Sequence, residues 1–297
     1  MDSIDMHDAA EVARVLRDGA DASRGAACRE GSIDAISAPG GLIATGDTHD
    51  NPANFRAVVE AAGLDGRFGA DEHHLTLHEI IHPETLDEHG EDTSFEGLTR
   101  IAWLKSEHPE LVHVLLANHE LAQAMDQLIV KNGVRCVAAF NAGLERRFGA
   151  GAADVRDAVD AFIRAMPLAL RARCPHGDIL CAHSLPAPGM MGRFDTTILS
   201  RDLTEDDYQS RTGSAHMMTW GRGYDADQLE DLTERWGVNL FILGHEHVPQ
   251  GAKVVEPNAI VLNSDHDRGV YLPIDLDHEP TVAQAAHAVV PIRSHTV

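Results

Sequence analysis

Nineteen histidines in 297 residues set this chain apart, and several of them stand where an apolar run ends. The clearest case is Gly41-Leu42-Ile43-Ala44-Thr45-Gly46, which delivers Asp47 and His49 two residues apart. A carboxylate oxygen and an imidazole nitrogen at that spacing can turn toward one ion if the loop curls, because both suit the same borderline divalent cations. Four further runs end in residues of this kind: Glu79 with His82, Asn118 with His119, His183, and His245 with His247. One such histidine alone is ordinarily a surface or satisfied core residue. Five sets together predict a dinuclear metal centre, in which two cations roughly 3.5 to 4 Å apart share a hydroxide, lower its pKa and clamp phosphoryl oxygens during in-line attack.

Such a centre needs a frame that gathers strand ends. The run to Gly46, followed by a helical pattern from Asn54 to Ala62, reads as a buried strand feeding a loop at its carboxyl end, where open α/β sheets place their ligands. His74 to Ile81 predicts a second strand, Phe95 to Ser106 a helix, and Leu111 to Leu116 a third strand. Strand, helix, strand predicts parallel neighbours joined by right-handed crossovers. Asn118 opens another helix through Leu128, and Ala153 to Met166 is an amphipathic helix stopped by Pro167. Asp178 to Ala182 is a short strand ending at His183, and Val238 to Leu243, after a helix over Ala226 to Trp236, ends at Gly244-His245-Glu246-His247. Lys253 to Glu256, Ala259 to Leu262 and Val270 to Ile274 read as terminal β structure, with a turn at Pro257-Asn258. The pattern predicts one mixed α/β domain with a two-sheet core over residues 41–297, preceded by a lead-in over residues 1–40.

Composition narrows the function. A net charge of -23 repels phosphate backbones, and no basic patch offsets it, so nucleic acid is not an expected partner. Lys105, Lys131 and Lys253 are the only lysines. Cys28, Cys136, Cys174 and Cys181 lie apart without C-x-x-C spacing, which argues against a zinc ribbon or a disulfide framework. The sequence starts without the basic and apolar regions of a signal peptide, and no apolar stretch approaches the roughly 20 residues that span a bilayer. A cytoplasmic protein with reduced thiols and no membrane partner is expected.

The order of the motifs resembles the calcineurin-like metallophosphoesterases, whose signatures run Gly-Asp-x-His, Gly-Asp-x-x-Asp-Arg, Gly-Asn-His-Glu, His and Gly-His-x-His. The matching stretches are Gly46-Asp47-Thr48-His49, Ala117-Asn118-His119-Glu120, Cys181-Ala182-His183-Ser184 and Gly244-His245-Glu246-His247. The phosphoprotein (Ser/Thr) phosphatase branch is the most similar, through Phe162-Ile163-Arg164-Ala165-Met166-Pro167-Leu168-Ala169. The resemblance implies a four-layer α/β/β/α sandwich with the metal site at the carboxyl ends of the strands. It also implies that Asp47, His49 and His247 hold one metal, that Asn118, His183 and His245 hold the other, and that His119 is the general acid.

The second signature departs from the family. Aligned on it, Glu79 stands at the metal-bridging Asp, His82 at the following Asp and Pro83 at the Arg that meets phosphate. Strand alternation turns His78 to the side opposite Glu79. The Arg that commonly precedes Asn-His-Glu is replaced by Leu116-Ala117, so Arg222, then Arg193, are the candidate phosphate-binding cations, since a guanidinium can grip phosphate bidentately. Asp50 and Glu120, with His82, are expected to orient imidazoles.

The expected function is that of a phosphoesterase carrying two divalent ions, Mn, Fe or Zn, and hydrolysing phosphomonoesters with a metal-bound hydroxide. A phosphorylated protein is the first substrate class. A small phosphorylated metabolite or dinucleoside polyphosphate is the alternative, as is a metal-binding regulatory module without turnover.

Overall fold

Gly41–Thr45 lies inside a five-stranded sheet, antiparallel to Val270–Asp275 on one side and parallel to His74–His78 on the other. Val112–Leu115 continues the sheet in parallel beyond His74–His78, and Val290–Pro291 closes the far edge. These relationships come from a computed structural model that describes residues 4–66, 71–83 and 85–292. Residues 1–3 of the expected lead-in and residues 293–297 of the expected domain lie outside the described residues.

A seven-stranded mixed sheet runs Arg29–Glu30, Ile33–Ser37, Ala169–Arg173, Asp178–Ala182, Val238–Leu243, Ala259–Leu262 and Ala252–Val255 from edge to edge. Two registers in the pair of sheets matter for the site. Leu243 pairs with Ala182, so His183 and Gly244 leave their strands side by side. His78 pairs with Leu115, so Glu79 and Leu116 do the same. Asp47 then forms single bridges to His78 and to Asn263, the residue after Ala259–Leu262, and so ties the ends of the two sheets together.

Apolar burial holds this arrangement. One cluster takes Leu42, Leu115 and Leu272 from the five-stranded sheet and Leu170, Leu240 and Ile260 from the seven-stranded sheet, so the sheets share a core. Each such fully buried side chain contributes about 1.5–3 kcal/mol relative to exposure. The larger cluster packs the helices Ala9–Gly25, Phe95–Glu107 and Ala152–Ile163 against the other strand faces through Leu16, Leu98, Val155 and Phe162.

Local chemistry sets the element ends. Asn51 caps Pro52–Ala61 by accepting the Asn54 amide at 3.1 Å, while Pro52 supplies a preset φ at the helix start. Gly237, at φ +66°, ends Ala226–Trp236 in the left-handed conformation that favours glycine. The strand expected over His74 to Ile81 stops at His78, because Glu79 has φ +49°. The helix opening at Asn118 ends at Ala124, and the chain continues into a hairpin of Val130–Lys131 with Val134–Arg135 and a helix over Cys136–Phe148. Residues before Gly41 belong to the same body: Ile33–Ser37 pairs in parallel with Ala169–Arg173, and Ala9–Gly25 packs in the core. Among the described residues, no helix is long and apolar enough to cross a membrane.

Candidate metal centre

Five of the converging strand ends bring buried donors together in three overlapping groups, each with its donor atoms within 4.8 Å of one another. Asp47 joins His78 and His183; His49 joins Glu79 and His119; Glu79 joins His183 and His245. Asn118 adjoins the last group, with Oδ1 2.7 Å from His183 Nε2. Backbone conformation makes the convergence possible. His49, Glu79, His82 and His245 all have positive φ, at 39°, 49°, 63° and 69°, a region that costs non-glycine residues energy and that clusters at functional sites.

Glycines clear the way. A Cβ on Gly244 would stand 2.3 Å from His78 Cε1 and 2.4 Å from Asp47 Oδ1, so only glycine lets those two side chains meet beside His245. The amide of His245 then donates to Asp47 Oδ1 at 2.8 Å. A Cβ on Gly46 would stand 2.0 Å from Leu262 O, so the approach of the two sheets at Asp47 also requires glycine.

Hydrogen positions follow from partners that can only accept. Thr45 O lies 2.9 Å from His78 Nε2, so that nitrogen carries the proton of a neutral ring and leaves Nδ1 bare. His183 Nδ1, 3.0 Å away, donates to His78 Nδ1, which leaves His183 Nε2 bare. His245 Nδ1 donates in turn to His183 Nε2 at 3.0 Å, and His245 Nε2 is left bare. On the other side, Gln123 gives its NH₂ to Asn141 and turns Oε1 to His82 Nε2 at 3.4 Å. His119 Nδ1 therefore donates to His82 Nδ1 at 2.9 Å, and His119 Nε2 is bare. His49 Nδ1 faces Ile81 O at 3.4 Å, leaving His49 Nε2 bare as well.

Three of these bare nitrogens face Glu79. Its Oε1 lies 3.3 Å from both His49 Nε2 and His119 Nε2, and its Oε2 lies 3.0 Å from His183 Nε2. With Glu79 ionised, each contact sets acceptor against acceptor. Glu79 Oε2 and His245 Nε2 are buried without hydrogen-bond partners, and leaving one such atom unsatisfied costs about 1–3 kcal/mol. Donor atoms about 3 Å apart are spaced as neighbouring ligands of one ion bound at about 2.0–2.2 Å. The donor set therefore fits divalent cations.

The electrostatics agree. Burial, with the charges of Asp47 and Glu120 adding to it, pushes the Glu79 carboxyl well above its usual range. Burial pushes Asp47 up to about 7. The same loss of water pushes His49 and His245 down to about 3, His78 and His82 to about 4, and His119 and His183 far down as well. Without a cation, the carboxyls keep protons and the imidazoles stay neutral.

The strands build the fold that certain phosphatases have. A protein serine/threonine phosphatase from Saccharomyces cerevisiae superposes with a TM-score of 0.65 at 15% identity, over 95% of this chain and 88% of that one. A cold-active protein-tyrosine phosphatase from a psychrophilic Shewanella species superposes with a TM-score of 0.56 at 13% identity, over 87% of this chain and 82% of that one. The likeness is one of fold. No family model and no curated protein matches the sequence. The phosphatase-like fold thus carries buried His, Asp and Glu clusters able to bind metal.

Several residues take places other than those expected. His247 is exposed, with its ring 5.4 Å from that of His266, and Asp47, His49 and His247 do not form a donor group among the described residues. The backbone turns at His245 and carries the next alternate residue outward. His78 faces the cluster, because alternation ends where Glu79 leaves the strand conformation. Glu120 orients backbone, not an imidazole: its Oε1 accepts the amides of Ile80 and Ile81 at 2.7 and 3.1 Å and so holds the turn that presents Glu79. The Asp50 carboxyl lies against Gly97 of the helix Phe95–Glu107, and burial pushes it up to about 7. Arg222 borders the cluster, with Nη2 donating to His245 O at 3.2 Å. Arg193 is exposed, and no contact joins its side chain to the cluster among the described residues.

Two neighbours escaped the sequence reading. Cys136 Sγ forms a donor group with His82 and His119. Lys131, whose Nζ is buried, acts electrostatically on Asp47, Glu79, His49 and His119. The rarity of lysine in this chain was the one available signal for the latter.

Proposed function

We propose that the chain is a metal-dependent phosphomonoesterase. The observation that carries this reading is Glu79, whose two oxygens face bare nitrogens of His49 and His119 on one side and of His183 on the other. A carboxylate between two sets of neutral imidazoles suits a pair of divalent ions. Asp47, His49, Glu79, Asn118, His183 and His245 would hold them. When bound, such a pair lowers the pKa of water and clamps phosphoryl oxygens. Mixed N/O donors suit Mn, Fe or Zn.

The remaining chemistry belongs to the chain. His78 holds the proton on His183 Nδ1 and so keeps Nε2 available. His119 is taken as the general acid: its bare Nε2 takes up a proton from solvent ahead of the attack and passes it to the leaving oxygen, with the ring steered by His82 through Nδ1. An imidazole partner stabilises protonated His119 less than a carboxylate would, which suits leaving groups that need little help. Phosphorylated protein is the substrate class taken first, since the two structures compared above are named as protein phosphatases.

The test is hydrolysis of p-nitrophenyl phosphate and a phosphopeptide panel by the purified, Mn²⁺-loaded protein, with metal content measured in parallel. Turnover that needs the metal is expected. Full metal occupancy with no turnover on any phosphoester would instead favour a metal-binding regulatory module.

A further inference from the structure

Cys136 is the first residue of the helix Cys136–Phe148, and its amide donates to Ile129 O at 3.0 Å. One turn further on, Phe140 meets the His82 ring edge to face, with 5.9 Å between centroids. This end of the helix therefore lies against His82. Cys136 Sγ and one ring nitrogen each of His82 and His119 lie within 4.8 Å of one another, and the three residues are only 5%, 1% and 6% exposed. The Nδ1 atoms of the two rings stand 2.9 Å apart, with one proton between them.

No step described above uses this sulfur. Burial pushes its pKa up, so at neutral pH it is a thiol and not a reactive thiolate. Its contact with Val134 O, at 3.7 Å, is weak. A thiol beside two imidazoles that burial keeps neutral is a ligand set, because a cation can bind as the thiol proton leaves. His82 is already oriented as ligating histidines are: Nε2 donates to Gln123 Oε1 at 3.4 Å, and Gln123 is fixed by Asn141 of the Cys136 helix at 3.0 Å. The thiolate that forms brings a negative charge of its own beside those of Asp92 and Lys131, which act there with opposite signs. One sulfur and two nitrogens also differ in kind from the carboxylate-containing groups around Glu79. Thiolate favours zinc and similar soft ions, whereas carboxylate suits manganese.

We propose that His82, His119 and Cys136 form a further cation site, selective for thiophilic ions such as Zn²⁺, and that filling it switches off the general acid. The ion replaces the thiol proton, which leaves to solvent, and takes a ring nitrogen of His119. An imidazolium needs protons on both nitrogens, so His119 cannot form one while the ion is bound, whichever nitrogen it takes. At most an imidazole N–H remains, which is a far weaker acid. The inhibition rests on the phosphomonoesterase reading above; the binding does not.

The test is ultraviolet absorption on adding Cd²⁺, a soft analogue of zinc, to the Mn²⁺-loaded wild type, Cys136→Ser, Cys136→Ala, Cys28→Ala and His82→Asn, with hydrolysis of an alkyl phosphate followed in the same samples in excess Mn²⁺. Cys28 is the control because it lies in another donor group, with Asp34 and His113. A thiolate-to-cadmium charge-transfer band is expected in the wild type and in Cys28→Ala, and not in either Cys136 variant. His82→Asn keeps the thiol and should weaken cadmium binding by about tenfold or more. As the band saturates, wild-type hydrolysis should fall by about 10²-fold or more, as loss of a general acid implies, while each Cys136 variant keeps its own cadmium-free rate at the same concentration. No band in the wild type, a band lost only in Cys28→Ala, or unchanged affinity in His82→Asn overturns the site. A band without inhibition, or equal inhibition with and without Cys136, overturns the switch and in the second case places cadmium in the groups around Glu79. If the Mn²⁺-loaded wild type hydrolyses no phosphoester before cadmium is added, the function proposed above fails and the switch with it, while the band still decides the site.

Discussion

Glu79 Oε2 lies 3.0 Å from His183 Nε2, and both atoms are acceptors once the Glu79 carboxyl gives up its proton. Thr45 O fixes this, because it takes the only proton of His78 and so obliges His183 to donate from Nδ1. A cation between the acceptors relieves the conflict. Glu79→Gln should therefore lower bound metal from two ions toward one or none, as read by elemental analysis of the purified protein. An unchanged metal count would remove Glu79 from the site.

Metal uptake should release protons at pH 6. Asp47 is pushed up to about 7 and Glu79 well above its usual range, so both carboxyls hold protons there, while the imidazoles, pushed down by burial, have none to give. The raised carboxyls also weaken the metal-free fold as pH climbs from the ordinary carboxyl range to about 7, where the folded state binds more protons than the unfolded state. Calorimetric titration of Mn²⁺ in buffers of different ionisation enthalpy measures the release. Finding none would show that the carboxyls are already ionised.

His119→Ala should slow hydrolysis of an alkyl phosphate by about 10²–10⁴, the range for loss of a general acid, and slow p-nitrophenyl phosphate much less. A good leaving group needs no proton. His82→Asp should favour the alkyl ester by stabilising protonated His119 at their 2.9 Å contact. Equal losses on both esters in His119→Ala would point to a binding role.

Gly244→Ala should destabilise the protein by about 1–3 kcal/mol, because its methyl would overlap His78 and Asp47 at 2.3 and 2.4 Å. Thermal melting with and without metal checks this. A variant that melts and binds metal like the wild type would mean that the strand end yields.

Away from the centre, Asp34 accepts from Arg29 Nε and His113 Nδ1, both at 2.7 Å, in a fully buried position between the two sheets. Burial alone would raise its pKa, but the His113 hydrogen bond and the nearby positive charges hold it down to about 2. Its stabilising effect is complete above the unfolded carboxyl value near 3.9 and is lost as pH falls through about 2. Asp34→Ala should cost about 3–5 kcal/mol at pH 7 by leaving Arg29 without this partner, and urea melts would show it. A loss below 1 kcal/mol would make the network dispensable.

The sequence by itself determined the strands that carry Asp47, His183 and His245, since short apolar runs ending in glycine or histidine between helical patterns admit few other conformations. It also determined that Asn118 and His119 open a helix. It did not reveal Ala169–Arg173, where Arg171 and Arg173 alternate with buried Ala169, Leu170 and Ala172 and mask a strand supported by its neighbours on both sides. The hairpin that carries Lys131 was equally hidden, because two-residue strands have no periodicity to read.

Only the tertiary structure decided which donors meet. Spacing paired Asp47 with His49, and the family resemblance added His247, yet the positive φ values at His49, Glu79 and His245 re-aim those side chains. Asp47 then meets His78 and His183, and His49 meets Glu79 and His119. Local sequence fixes residue type and strand end. The direction of a side chain beyond the strand depends on contacts made by residues far along the chain: Glu120 holding the turn after Glu79, and Gly244 giving Asp47 and His78 room to meet.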